Sequence, residues 1–398
     1  MTESSSVSPL RVLMLAWEYP PNIVGGLARV VHALSHKLVQ RGCEVYVVTA
    51  DHKDSPAYEN DNGVHVYRVK NQTDWTPDFN TQMARLNVGM IQLAVRLQID
   101  EPFDVVHAHD WMVLDTAWTL KQVFDVKLVS TFHATEHGRM KGIHNDTQKY
   151  VHSIEGRMFY ESVEVIVNSR SMVGELEWQF AAPTDKINVI PNGIDANKFA
   201  CSTDVAELRT KHGIEHEDVV LFVGRMVFEK GVQVLLDAVP AILQERPNTT
   251  FILAGTGGFF EGLKAKAHEL SVSQNVRFFG HANDKDLAEL FQLATIMVVP
   301  SLYEPFGITA LEAMAARVVL VTSDRGGLND INDHMRVGLK TYAERPESIA
   351  WAVTTALADP ALRARLIDAA FTEVQEHYTW DAIADKTLVV YRRVLQGD

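Results

Sequence analysis

The run Tyr303-Glu304-Pro305-Phe306-Gly307-Ile308-Thr309-Ala310-Leu311-Glu312 combines two carboxylates, a glycine and a helix start. Pro305 suits the opening of a helix, and Ala310–Ala316 has high helix propensity. The amides of Gly307, Ile308 and Thr309 are then expected to be first-turn donors, a natural seat for a diphosphate. Glu304 precedes that turn and Glu312 follows it. A carboxylate can accept two sugar hydroxyls at once, so two of them around a phosphate cradle suit a sugar nucleotide. For Glu312 alone, a simple preference for the positive helix end explains it equally well.

A second run, Gly224-Arg225-Met226-Val227-Phe228-Glu229-Lys230-Gly231, places two cations in a short loop before a helix. Arg225 and Lys230 could neutralise a departing diphosphate, the work a divalent metal does elsewhere. Taken alone they would read as solvated surface charges. A third, Asn22 to Arg29, contains the pair Gly25-Gly26, which permits a tight turn and close approach of a ligand. A fourth is His107-Ala108-His109-Asp110-Trp111. The two histidines alternate along a strand end and no further ligand cluster follows, which argues against zinc. Asp110 could instead bind a sugar hydroxyl, and Trp111 reads as core. The fifth, Ser130 to Arg139, offers His133 at the first loop position and His137 and Arg139 beyond it, on the acceptor side. Gly255-Thr256-Gly257-Gly258 lacks the spacing of a dinucleotide fingerprint, and neither GxxxxGK[ST] nor GxSxG occurs.

The elements that must hold these residues alternate between β-branched runs and amphipathic stretches. Arg11–Ala16, Glu44–Thr49, Val64–Val69, Asp104–His107, Lys127–Thr131, Val163–Asn168 and Ile187–Pro191 read as strands. Leu27, Val30, Val31, Leu34 and Leu38 fall at helical spacing, so Leu27–Arg41 is a helix that Gly42 can stop. The polar stretch Pro191 to Phe199, with Asn192-Gly193 as a turn pair, interrupts the pattern. A second series follows at Val219–Val223, Thr250–Ala254, Val276–Phe279, Ile296–Val299 and Val318–Val321, and Trp380–Leu395 reads as one amphipathic helix.

The expected fold is therefore α/β, with two doubly wound, Rossmann-like domains facing a central cleft. The boundaries are 1–191, 192–379 and a returning helix at 380–398. In open parallel sheets ligands bind beyond the carboxyl ends of the strands, and every motif above lies in such a loop.

Composition sets outer bounds. At 398 residues and net charge −14 the chain lacks the general basic face that nucleic acid or an anionic membrane would require. Two distant cysteines, Cys43 and Cys201, suggest a reduced, cytoplasmic protein. The polar start Met1 to Pro9 does not read as a signal peptide, and no apolar run has transmembrane length.

Together these motifs resemble the retaining glycosyltransferases of family 4, which have the GT-B fold. Glu304 and Glu312, the Gly25-Gly26 loop, Arg225 with Lys230, and Asn192-Gly193 fall in that family's order over nearly the whole chain. The runs His109–Trp111, Thr131–Arg139 and Tyr303–Gly307 are similar to the bacterial and archaeal glycogen/starch synthase branch. The resemblance implies transfer of a hexose, glucose by branch, from an ADP- or UDP-sugar to a hydroxyl acceptor such as an α-glucan or maltooligosaccharide. Arg225 and Lys230 would hold the donor phosphates, with no metal or other cofactor required, and Glu312 the ribose. The amides of Phe306, Gly307, Ile308 and Thr309 would meet the diphosphate and hexose. Glu304 would bind the 3-hydroxyl of the reacting sugar, Asp110 and His133 would contact that hexose, and Gly25 and Gly26 would close over the phosphates. Retention without an evident nucleophile implies a front-face reaction in which the leaving phosphate helps deprotonate the acceptor. The family's lysine two residues before the paired glycines is here Ile23. That departure leaves a short oligosaccharide, a sugar phosphate or another hydroxyl open as acceptor. A nucleotide-sugar epimerase and a non-catalytic sugar-nucleotide or glucan-binding protein remain alternatives.

Overall fold

The computed structural model describes residues 8–70, 78–199 and 204–397, so Met1 to Val7 and Cys201 lie outside the described residues. The chain forms two compact units, one comprising Met1–Gly193 and Trp380–Asp398, the other Ile194–Thr379.

The first unit is built on eight strands: β1 (Arg11–Leu15), β2 (Glu44–Ala50), β3 (Tyr58–Asp61), β4 (Val64–Val69), β5 (Val105–His109), β6 (Lys127–Phe132), β7 (Glu164–Val167) and β8 (Ile187–Val189). Their order is β3-β4-β2-β1-β5-β6-β7-β8. All pairings are parallel except β3–β4, a hairpin turned at Asn62-Gly63. Both turn residues have positive φ, the geometry that suits a two-residue hairpin. The sequence reading missed β3, whose residues Tyr58-Glu59-Asn60-Asp61 are polar and largely exposed and carry no apolar alternation. The unit's helices are α1 (Gly26–Gln40), α2 (Phe79–Asp100), α3 (Leu114–Phe124), α4 (Glu136–Met140), α5 (Asp146–Glu161) and α6 (Arg170–Phe180).

The second unit has six strands: β9 (Asp218–Val223), β10 (Thr249–Ala254), β11 (Val276–Gly280), β12 (Ile296–Val299), β13 (Val319–Ser323) and β14 (Leu339–Thr341). They are ordered β11-β10-β9-β12-β13-β14 and all parallel. Its helices are α7 (Val205–Lys211), α8 (Val232–Glu245), α9 (Phe260–Glu269), α10 (Asp284–Leu293), α11 (Ile308–Ala315), α12 (Leu328–Ile331), α13 (Pro346–Ala358) and α14 (Pro360–His377). The final helix, α15 (Trp380–Gln396), belongs to the first unit.

Continuous apolar strands such as Val12 to Leu15 and Val220 to Phe222 are buried on both faces, as a parallel sheet covered by helices requires. In each sheet the strand order reverses beside the unit's first strand: β1 lies between β2 and β5, and β9 between β10 and β12. Diverging connections leave a crevice at such a switch point. The loops after β1, β5, β9 and β12 carry Gly25-Gly26, Asp110, Arg225 with Lys230, and Glu304, so the motifs found in the sequence flank the switch points. Among the described residues, no helix is long and apolar enough to cross a membrane.

Candidate active site

In the second unit, Lys230 ends a short 3-10 turn at Phe228–Lys230 that follows β9. Gly231, with φ 71°, turns the chain into α8; a Cβ there would lie 2.0 Å from the carbonyl oxygen of Pro300. The loop is thus seated on the end of β12, and Glu229 fixes it further by accepting the amide of Leu302 at 2.8 Å. This seating brings Lys230 Nζ to 2.7 Å from Glu304 Oε2. The same oxygen accepts from Ser301 Oγ at 3.0 Å. Glu304 is buried while Lys230 is partly open to solvent. A carboxylate so placed is held by its cation, and the cation keeps one accessible side.

The adjoining helix α11 starts at Ile308, later than Pro305 suggested, with Gly307 at its cap at φ 111°. The bond from the Ala310 amide to the Gly307 carbonyl, at 3.0 Å, closes the first turn. The amides of Ile308 and Thr309 therefore open the helix, where anions are favoured. Phe306 is buried beneath this turn, and Glu312 is buried within α11. A second glycine pair, not singled out in the sequence, completes the wall. Gly326 (φ 54°) lies so close that a Cβ would stand 1.9 Å from the Glu304 carbonyl oxygen, and the Gly327 amide donates to that carbonyl at 2.9 Å. The signal was present, since Gly326-Gly327 follows a strand as Gly25-Gly26 does. Arg225 differs from its partner in the motif. Its side chain is 60% exposed and makes a 3.4 Å contact to Glu229, so Lys230, not Arg225, is joined to Glu304. Gly255 to Gly257 packs main chain to main chain against Gly224 and Met226, which explains those glycines without a ligand.

In the first unit, β5 runs through His109, two residues further than the sequence suggested, and Asp110 is the first residue beyond it. Asp110 sits at φ 60°, ψ 170°, a region nearly reserved for glycine, at a cost of about 1–3 kcal/mol. Its Oδ1 accepts the His133 amide at 2.7 Å, and its own amide donates to Thr131 at 2.9 Å. Asp110 and His133 are thereby brought together. Asn168 Nδ2 donates to His133 Nδ1 at 3.4 Å, which leaves the proton on His133 Nε2 to bond His109 Nδ1 at 3.1 Å. His109 Nε2 is then an N–H, buried with no hydrogen-bond partner among the described residues. Burial holds His133 and His109 below the ordinary imidazole range. His107 is pushed down to about 3 by burial and is tied to Tyr391 and Thr131 at 2.7 Å each, a structural role. Trp111 is core, as expected.

The Gly25 position brings a carboxylate that sequence reasoning missed. Gly25 caps α1, and Glu18 accepts the amides of Val24 at 2.5 Å and Gly25 at 3.0 Å. Glu18 is buried, and that burial raises its pKa. The Gly25 amide is thus committed to a side chain, while Gly26 opens the helix. No motif flags Glu18, because the loop brings it back onto a helix end several residues later.

His137 and Arg139 lie on α4. His137 packs edge-on against Trp178 at 4.8 Å, and Arg139 Nη2 is buried with no hydrogen-bond partner among the described residues. Beneath them Glu155 accepts the Glu136 amide at 2.7 Å, and burial pushes its pKa up to about 8.

Comparison with known proteins shows the family and the fold. Residues 24–198 match the family described as Glycosyltransferase Family 4, and residues 204–373 match Glycosyl transferases group 1. An uncharacterized glycosyltransferase of Methanocaldococcus jannaschii is 39% identical over 97% of this chain and 99% of its own length. A glycogen synthase of Mycobacterium tuberculosis is 35% identical over 98% of this chain and 96% of its own. A solved sucrose-phosphate synthase from Thermosynechococcus elongatus has the same fold, with a TM-score of 0.84 and 23% identity over 98% of this chain and all of that one. The chain therefore belongs to the group 1 and family 4 glycosyltransferases of GT-B fold, within their glycogen synthase-like branch.

Proposed function

We propose that this glycosyltransferase moves a hexose, glucose, from an ADP- or UDP-sugar to a hydroxyl of an α-glucan or maltooligosaccharide, with retention. The observation that carries this reading is the 2.7 Å contact of Lys230 with buried Glu304 beside the first turn of α11. It puts a cation, helix-end amides and a buried carboxylate within one loop cluster. Lys230 and Arg225 neutralise the diphosphate as it leaves, aided by the amides of Ile308 and Thr309. Glu304 holds the hexose, Glu312 the ribose, and Asp110 with His133 contacts the hexose. The strained backbone at Asp110 favours this role, since such strain clusters at functional sites. With positive groups of the chain at the diphosphate, the reaction needs no divalent ion. His137 and Arg139 serve the acceptor. The exposed Ile23, where the branch carries lysine, removes one phosphate contact from the Gly25 loop.

The test is product analysis. ADP-glucose and UDP-glucose are offered with maltooligosaccharides, glucose or glucose 1-phosphate, and the new linkage is read by NMR. An α-linked, extended maltooligosaccharide, formed at an undiminished rate in EDTA, is expected. A β-linkage, conversion of the donor without acceptor, or donor binding without nucleotide release would overturn the proposal.

A further inference from the structure

Away from these loops, His32 and His36 stand one turn apart on α1 and face Asp61 at the end of β3. His32 Nε2 is 3.3 Å from one carboxylate oxygen of Asp61, and His36 Nε2 is 3.3 Å from the other. One donor atom from each of the three side chains lies within 4.8 Å of the others. An ion bound tetrahedrally at about 2.0–2.1 Å separates its ligands by about 3.3 Å, the spacing found here between each ring and the carboxylate.

The hydrogen bonds around the group point the same way. His36 Nδ1 is 2.7 Å from the carbonyl oxygen of His32, an acceptor only, so the proton of a neutral His36 resides on Nδ1. Its Nε2 then turns a lone pair toward a carboxylate oxygen. Two lone pairs at that distance repel unless a second proton on His36 or a metal ion lies between them. A ligating histidine whose other nitrogen donates to a backbone carbonyl is the usual outer arrangement of a metal site. Tyr19 supplies a second such contact: its buried hydroxyl donates to Asp61 Oδ2 at 3.0 Å.

We propose that His32, His36 and Asp61 form a site for a divalent transition metal, with zinc the ion that two imidazoles and a carboxylate suit best. All three side chains are partly open to solvent, which gives an entry path and room for a water as fourth ligand. The ion would clip the β3–β4 hairpin, at the edge of the first sheet, to the helix that Gly25 caps. This is a structural role, separate from sugar transfer.

The probe is Co²⁺ added to the chelator-stripped full chain, read by its visible d–d absorption. One equivalent is expected to give a saturable band that Zn²⁺ displaces, and Zn²⁺ is expected to raise the melting temperature. His36→Ala and Asp61→Asn, each confirmed folded by circular dichroism, should abolish the band. Tyr19→Phe should weaken binding by about ten- to a hundredfold. No saturable band in the wild type, or the same band in His36→Ala, would overturn the site. The first outcome would assign the cluster to a protonated His36 paired with Asp61; the second would place the bound ion elsewhere. The optical signal is read without turnover, so it fails or succeeds independently of the glycosyltransferase assay.

Discussion

At the scale of single residues, charge and burial decide which groups are available. Glu155 is the clearest case. Its carboxyl has an ordinary pKa of 4.5 and is pushed to about 8 by burial, with Arg139 opposing the shift, so it is protonated at neutral pH. The folded state therefore binds a proton that the unfolded state gives up. The resulting stability is full below about pH 4.5 and is lost as pH rises through 8. Urea titrations of the wild type from pH 5 to pH 9 should show falling stability, on the order of a few kcal/mol in all. Glu155→Gln, which can still accept the Glu136 amide, should flatten that dependence; an unchanged slope would show that another group carries it. The same residue scale shows what the sequence conceals. Glu304 and Lys230 were legible because strand, loop and helix signals bracket them closely. Glu18 and Asn168 were not, because each acts on a partner that only the folded loops bring near. The extent of β5 through His109 was read only in part: the alternation of His107 and His109 placed both at a strand end without fixing where the strand stops.

At the scale of elements, α15 shows how a segment distant in sequence becomes part of the first unit. Ile383, Leu388, Tyr391 and Val394 are buried in that unit's core, and Lys37 and Arg41 of α1 pair with Asp381 and Asp385 on its outer face. The two faces should contribute differently. Tyr391→Phe leaves His107 Nδ1 buried without its 2.7 Å partner, at an expected cost of about 1–3 kcal/mol. Arg41→Ala breaks ion pairs with largely exposed aspartates, worth about 0–1 kcal/mol, together with hydrogen bonds to the carbonyls of Asp381 and Lys37. Denaturant midpoints of the two variants check this order, and an equal or reversed loss would mean that the outer charges, not the buried contact, fasten the helix. The amphipathic pattern of Trp380–Leu395 was readable in the sequence, as was the parallel alternation on both sides of Pro191. The edge strands β3 and β14 were not: one is polar and antiparallel, and the other spans only Leu339–Thr341.

At the scale of the whole molecule, the chain passes from one unit to the other after Gly193 and returns after Thr379. The two ends of the second unit are joined there, with the Ile194 amide bonded to Tyr378 at 2.7 Å. Each unit repeats one plan, a largely parallel sheet that reverses beside its first strand, with the candidate site residues in loops on both sides of that point. The plan could be read from alternation and from glycines after strands; which loops share a switch point could not, because strand order is not written in sequence. The account rests on Lys230 acting on the leaving diphosphate rather than serving only as the partner of Glu304. The direct measurement is nucleotide diphosphate release from ADP- and UDP-glucose with a maltooligosaccharide, by wild type and by Lys230→Ala of matching circular dichroism. Release by the wild type and a loss of about 10²–10³ in turnover by the variant is the expected result. Full turnover in Lys230→Ala, or no release by the wild type from either donor, would contradict it.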